Sequence, residues 1–205
     1  MVRSAAKTRG RILDAAYVLF RKKGFTRVSV DEIAEASGIT KRTLYAHFVS
    51  KDQLLATVLD AQHHLAFDAF QTFGSKLSGT AGEMVAAIFE ELATWAARPR
   101  WAGSGFTRLV IELADLPGHP ARKIAKQHKA LLESHLAQLL AAAGIPAAKY
   151  RARELWLLFE GAMVLALIHG DRAYIGAASE AARILLSAPR RHDLKSRADR
   201  CVDQQ

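Results

Sequence analysis

The chain has 205 residues, half of them hydrophobic, with five prolines, three tryptophans, one cysteine and a net charge of +9. Such a composition excludes a disordered, collagen-like or disulfide-stapled chain and allows one or two domains with an ample core. Ten Lys or Arg stand against four acids in residues 1–50, fourteen against thirteen in 51–188, and five against three in 189–205, so the surplus is N-terminal.

In chain order, residues 1–6 are predicted to be a disordered arm, and MVRSAAKTRGRILDAA has no long apolar run after its basic residues, so no secretory signal is expected. A first helix is predicted over 8–23, with Ile12, Ala15, Ala16, Leu19 and Phe20 inward and Gly24 ending it. Phe25 is expected to close a small core with Ile33, Leu44 and Phe48. Ser29-x-x-Glu32 has the spacing of a capping box, in which hydroxyl and carboxylate satisfy each other's backbone N–H groups. The helix it opens turns Val30, Ile33 and Ala34 inward, and Gly38 follows it. Thr40 caps a helix over 41–47 that buries only Leu44 and leaves Lys41, Arg42, Thr43, Tyr45, Ala46 and His47 outward. Ser50-x-x-Gln53 is a second box, opening a long helix over 51–73.

Taken singly these signals are ordinary, since capping boxes and KR pairs occur on many solvated helices. Together they have the layout of a helix-turn-helix, in which one helix braces the DNA backbone and the next enters the major groove. The basic surplus lies on this same segment, as expected of a polyanion binder. Lys41 and Arg42 are placed to reach base edges, with Arg42 suited to a bidentate contact with guanine, and Thr43 to reach a base or a phosphate. Ser29 and Lys51 are expected to clamp the backbone from two helix N-termini, with Thr26 assisting. A Lys in a first turn opposes the helix dipole, and a phosphate there would account for it.

The run RILDAAYVLFRKKGF and the pattern SV-x-x-IA-x-x-x-GI-T-x-x-TLY-x-HF-x-SK-x-x-LL resemble the DNA-binding domain of the tetracycline-repressor (TetR) family of bacterial transcription regulators. The resemblance covers about the first 60 residues closely and the remainder only in size, helical character and helix order. It implies that Tyr45 and His47 occupy phosphate-gripping positions, Tyr45 alternatively packing on a thymine methyl or against the first helix. It also implies no base contact from Asp31, where relatives carry a basic reader.

Beyond a small, polar linker at 75–82, helices are predicted over 83–98, 105–114, 120–143, 147–169 and 172–186. The most apolar run, 155–168, is interrupted by Glu160 and is shorter than the roughly 20 residues that cross a bilayer. The helix containing it is apolar all round, and the next is rich in Ala and Gly. Either both are buried in their own domain, or Leu165, Ile168, Ala178, Ala181 and Leu185 pack against a second copy. The second reading is preferred, because a two-fold dimer reads a palindrome and the family resemblance agrees. Trp95, Trp101, Phe106, Trp156 and Phe159, with Arg108, Glu160 and His169 among them, either fill a core or line a cavity. The ligand set expected is Trp95, Phe106, Arg108, Trp156, Glu160 and Met163, with an arginine or a cationic ligand as partner to Glu160.

No phosphate loop, H-E-x-x-H or G-x-S-x-G occurs, and Cys201 lies in a polar tail without a neighbouring base, so neither an enzyme, a metal site nor a cofactor is expected. The expectation is an all-α chain. Residues 1–50 form a three-helix helix-turn-helix head, joined by a long helix to a helical ligand-binding and dimerisation domain over 51–188, with a polar tail over 189–205. Its expected role is that of a cytoplasmic homodimeric repressor, bound to a palindromic operator in double-stranded DNA and released by a small-molecule effector. An activator, or a regulator answering to a protein partner, is the alternative.

Overall fold

A computed structural model describes residues 2–187, so Cys201 and the tail expected over 189–205 lie outside the described residues. Among those described there are helices α1 (Val2–Lys23), α2 (Val30–Ala36), α3 (Lys41–His47), α4 (Lys51–Gly74), α5 (Ala81–Ala96), α6 (Gly105–Glu112), α7 (Pro120–Ala142), α8 (Ala148–His169) and α9 (Ala173–Ser187), and no strand. The all-α class read from the sequence is the class observed. Two helix starts differ from expectation by more than one residue. The helix α1 already begins at Val2, so residues 2–6 are helical and not an unstructured arm. The helix α5 begins two residues early, because Thr80 and Glu83 form a capping box inside the stretch read as linker.

Among the described residues the chain forms two compact units, 2–73 with 102–132, and 74–101 with 133–187. Charge marks off only residues 1–50, whereas packing groups those residues with most of α4, all of α6 and the start of α7. The reason is apolar. One cluster of the first unit holds the head together through Ile12, Ala16, Val28, Ile33, Leu44, Phe48, Leu54 and Val58. A second joins Phe25 to Leu55, Leu59, Phe106, Leu109, Leu113, Ala121 and Ala125. Phe25 therefore does not close the core of Ile33, Leu44 and Phe48, because its partners come from α4, α6 and α7, far away in sequence.

In the other unit, Val85, Phe89, Leu92, Leu136, Leu140, Leu155, Met163 and Ile175 form the core. The small residues Ala178 and Ala182 of α9 are buried there too, which lets α9 pack closely on α5 and α8.

Candidate nucleic-acid interface

Local bonds build the head. The Ser29 hydroxyl accepts from the Glu32 N–H at 3.1 Å, and the Glu32 carboxylate accepts from the Ser29 N–H at 2.9 Å, closing the predicted box. Glu32 also takes the Lys23 ammonium; that bond and the Ser29 N–H hold its carboxyl down at about 2. Gly38 makes the turn into α3 at φ 65°, a left-handed conformation that costs least without a Cβ. The Arg11 guanidinium of α1 donates to the carbonyls of Ser37 and Gly38, and a Cβ on Gly38 would lie 2.6 Å from it. Thr40 caps α3 by accepting from the Thr43 N–H at 3.1 Å. Phe48 ends it, buried beneath the Arg9 guanidinium at 4.8 Å.

This framework turns α3 outward as expected. Leu44 is its one buried residue, Lys41 and Arg42 are exposed, Thr43 and His47 are half-buried, and Tyr45 keeps 44% of its surface accessible. Tyr45 therefore does not belong to the core. Ser29 is exposed at the N-terminus of α2. Lys41 is not a bare cation: its ammonium donates to Asp31 of α2 at 2.9 Å, and this bond raises its pKa.

Two residues expected at the DNA backbone are engaged elsewhere. The Lys51 ammonium turns inward, donating to the carbonyls of Phe25 at 2.9 Å and Val28 at 2.8 Å, and lies 4.3 Å from the Phe25 ring centre. Burial lowers its pKa against the pull of Asp52, Glu112 and Glu32. Its unfavourable place in a first turn thus has an internal explanation, two carbonyls that accept from its ammonium. Gln53 completes only half the expected box there: its N–H donates to the Ser50 hydroxyl at 3.0 Å, but its side chain accepts from Val49 and not Ser50. Thr26 gives its N–H and hydroxyl, both at 2.6 Å, to the Glu112 carboxylate, which also accepts from the Phe25 N–H at 3.0 Å. Burial raises the Glu112 pKa, but the Thr26 hydroxyl, the two N–H groups and nearby Arg108 bring it below the ordinary value. Sequence reading missed Glu112, because 86 residues separate it from Thr26 and no local pattern links them.

The expected ligand residues divide between the units. Phe106 and Arg108 belong to the first, where Phe106 stacks on His128 at 3.8 Å and Arg108 donates to the Arg21 carbonyl at 3.4 Å. Trp95, Trp156, Glu160 and Met163 belong to the second; Trp156 stacks on Phe159 at 5.3 Å, Met163 is buried, and Glu160 is half-buried. A further pair went unread: His63 and His128 share a 2.8 Å Nδ1–Nδ1 hydrogen bond, and burial, then Lys129 and His63, hold His128 at about 4. Of the expected interface residues, Leu165, Ile168 and Ala181 are exposed and Leu185 is half-buried. Ala178 instead lies in its own unit's core, since it faces α5 and α8 across the close α9 packing.

The sequence model described as "Bacterial regulatory proteins, tetR family" matches residues 12–58, spanning most of α1, α2, α3 and the start of α4. Over these residues the chain matches the TetR family. Curated relatives match over stretches of similar length. The HTH-type transcriptional regulator TtgR of Pseudomonas putida is 39% identical over 66 residues, 30% of this chain and 31% of the relative. The HTH-type transcriptional regulator AcrR of Shigella flexneri is 41% identical over 54 residues, 26% of this chain and 25% of the relative. The chain thus spans less than a third of the length of these curated relatives. Likeness in fold runs further. A TetR-family transcriptional regulator from Streptomyces coelicolor superposes with a TM-score of 0.77 at 26% identity, covering 89% of this chain and 97% of that one. Reduced NemR of Escherichia coli does so at 0.78 and 18% identity, covering 86% and 95%. These relatives are regulators of transcription. Among the described residues no helix is long and apolar enough to cross a membrane.

Proposed function

We propose that this chain is a cytoplasmic, homodimeric DNA-binding repressor that inserts α3 into the major groove of a palindromic operator and is released by a small-molecule effector. The observation that carries the reading is α3 itself: seven residues capped at the front, anchored by Leu44 and Phe48, with Lys41, Arg42 and Tyr45 exposed. A helix that buries one residue gains little by packing, and its donors match what base edges and phosphates accept. Ser29, Thr43 and His47 supply backbone contacts. The first-turn N–H groups of α4 take over the phosphate role expected of the Lys51 side chain.

Dimerisation is supported by large apolar residues left in water on α8 and α9, among them Leu157 at 70%, Ile168 at 67% and Ile184 at 59% exposure. With Leu165 and Ala181 they fit a self-complementary face, which a two-fold contact closes. The second unit, with Trp95, Trp156, Glu160 and Met163, is the effector domain. Release follows if effector binding changes the spacing of the two α3 helices, set at about 34 Å by one turn of DNA.

Selection of full-length protein on a randomised duplex library tests this. The expected product is an inverted repeat, in which Arg42→Ala loses about 1–3 kcal/mol of discrimination at one base pair of each half-site. A library that emerges unenriched contradicts the proposal.

A further inference from the structure

The two acids in the first turn of α2 have different partners. Glu32 is used up locally, by the Ser29 N–H and the Lys23 ammonium. Asp31 reaches across the turn to the first residue of α3, its carboxylate 2.9 Å from the Lys41 ammonium, with both side chains more than half exposed. A carboxylate on a face that meets a polyanion opposes binding, and the helix dipole alone would be served by Glu32. The pair has a second effect. A free Lys is a mobile point charge that finds any phosphate, whereas one tied through a single N–H has a fixed position and two remaining donors. Neutralising that charge removes sequence-independent attraction and keeps the directional bonds.

We infer that Asp31 is a specificity-determining positioning residue, which acts through Lys41 to suppress non-specific DNA binding and hold the ammonium for a base edge. The inference rests on the reading of α3 as the recognition helix. Asp31 itself touches no base. It selects against the wrong duplexes by withholding a charge from them.

The test compares the full-length chain with Asp31→Asn, Lys41→Ala and the double variant, on the duplex that the wild type enriches and on a mixed-sequence duplex of equal length. Asp31→Asn preserves shape, and its thermal melt checks the fold. It is expected to bind the mixed duplex several-fold more tightly at low salt and to steepen the log–log salt dependence by about one. Its preference for the enriched duplex falls about tenfold, and reselection relaxes one base pair per half-site. In the Lys41→Ala background the same change is expected to leave the preference unaltered, and Asp31→Glu to restore most of it. An Asp31→Asn protein with wild-type slope and preference overturns the inference, as does an effect that persists without Lys41. A wild type that retains neither duplex overturns the DNA reading, and this inference with it; the two failures are therefore distinguishable.

Discussion

The α2–α3 hairpin and the α8–α9 pair are held by different physics. In the hairpin, seven-residue helices are too short to persist alone, and three of the four ends are fixed by a named side-chain bond: Ser29 with Glu32, Arg11 on the Gly38 carbonyl, Thr40 on Thr43. In the second unit, helices of 22 and 15 residues pack through the apolar Ala152, Met163, Ile175, Ala178 and Ala182. The first arrangement sets side chains in fixed directions, as reading a groove requires. The second is a set of apolar surfaces, and surfaces of this kind can be shared with a copy or a ligand.

The difference can be broken most severely at Phe48, which is 1% exposed and pinned beneath Arg9. Phe48→Ala is expected to cost about 3–5 kcal/mol of stability, read by denaturant unfolding, and to abolish duplex retention while the protein still dimerises. Ile168→Glu acts on the other region. Because the side chain is 67% exposed, the monomer keeps its melting temperature, and light scattering reports a monomer that binds a full palindrome more than tenfold weaker. A variant that stays dimeric moves the interface elsewhere; Ala178, buried in its own core, is not a fair probe.

A smaller effect sharpens the account of Lys51. Lys51→Met takes the ammonium donor from the Val28 carbonyl and leaves the Phe25 carbonyl with the Val28 N–H, so stability is expected to fall by about 1–3 kcal/mol with no change in the salt slope of binding. Unchanged stability with a flatter slope would return Lys51 to the phosphate. Glu112 gives the smallest and most pH-specific effect. Its native pKa lies below the ordinary value, so the stability it contributes is present above about pH 4.3 and lost as pH falls through the native value. Glu112→Gln is therefore expected to be less stable than wild type at neutral pH, and the gap to close in acid. A gap constant down to pH 3, on the order of a unit below the free carboxyl, would contradict that account.

What the sequence made legible follows the same division. The caps at Ser29 and Thr40, the turn at Gly38 and the lone inward Leu44 are relations within four residues, and each is found where the spacing places it. Glu112 with Thr26, His63 with His128, and Phe25 with Phe106 join residues brought near only by the fold, and no periodicity announces them. The inward turn of Lys51 was hidden for a related reason: its position in a first turn is local, but the carbonyls it serves lie over twenty residues earlier.

The central claim is that a basic head places α3 in a duplex groove, and salt titration of the full-length chain on its selected duplex tests it most directly. With six or more phosphates neutralised, affinity is expected to fall by about a thousandfold or more between about 50 and 200 mM salt, with the enriched sequence still preferred. A chain that retains no duplex at the lowest salt, or whose binding ignores salt, would contradict the account.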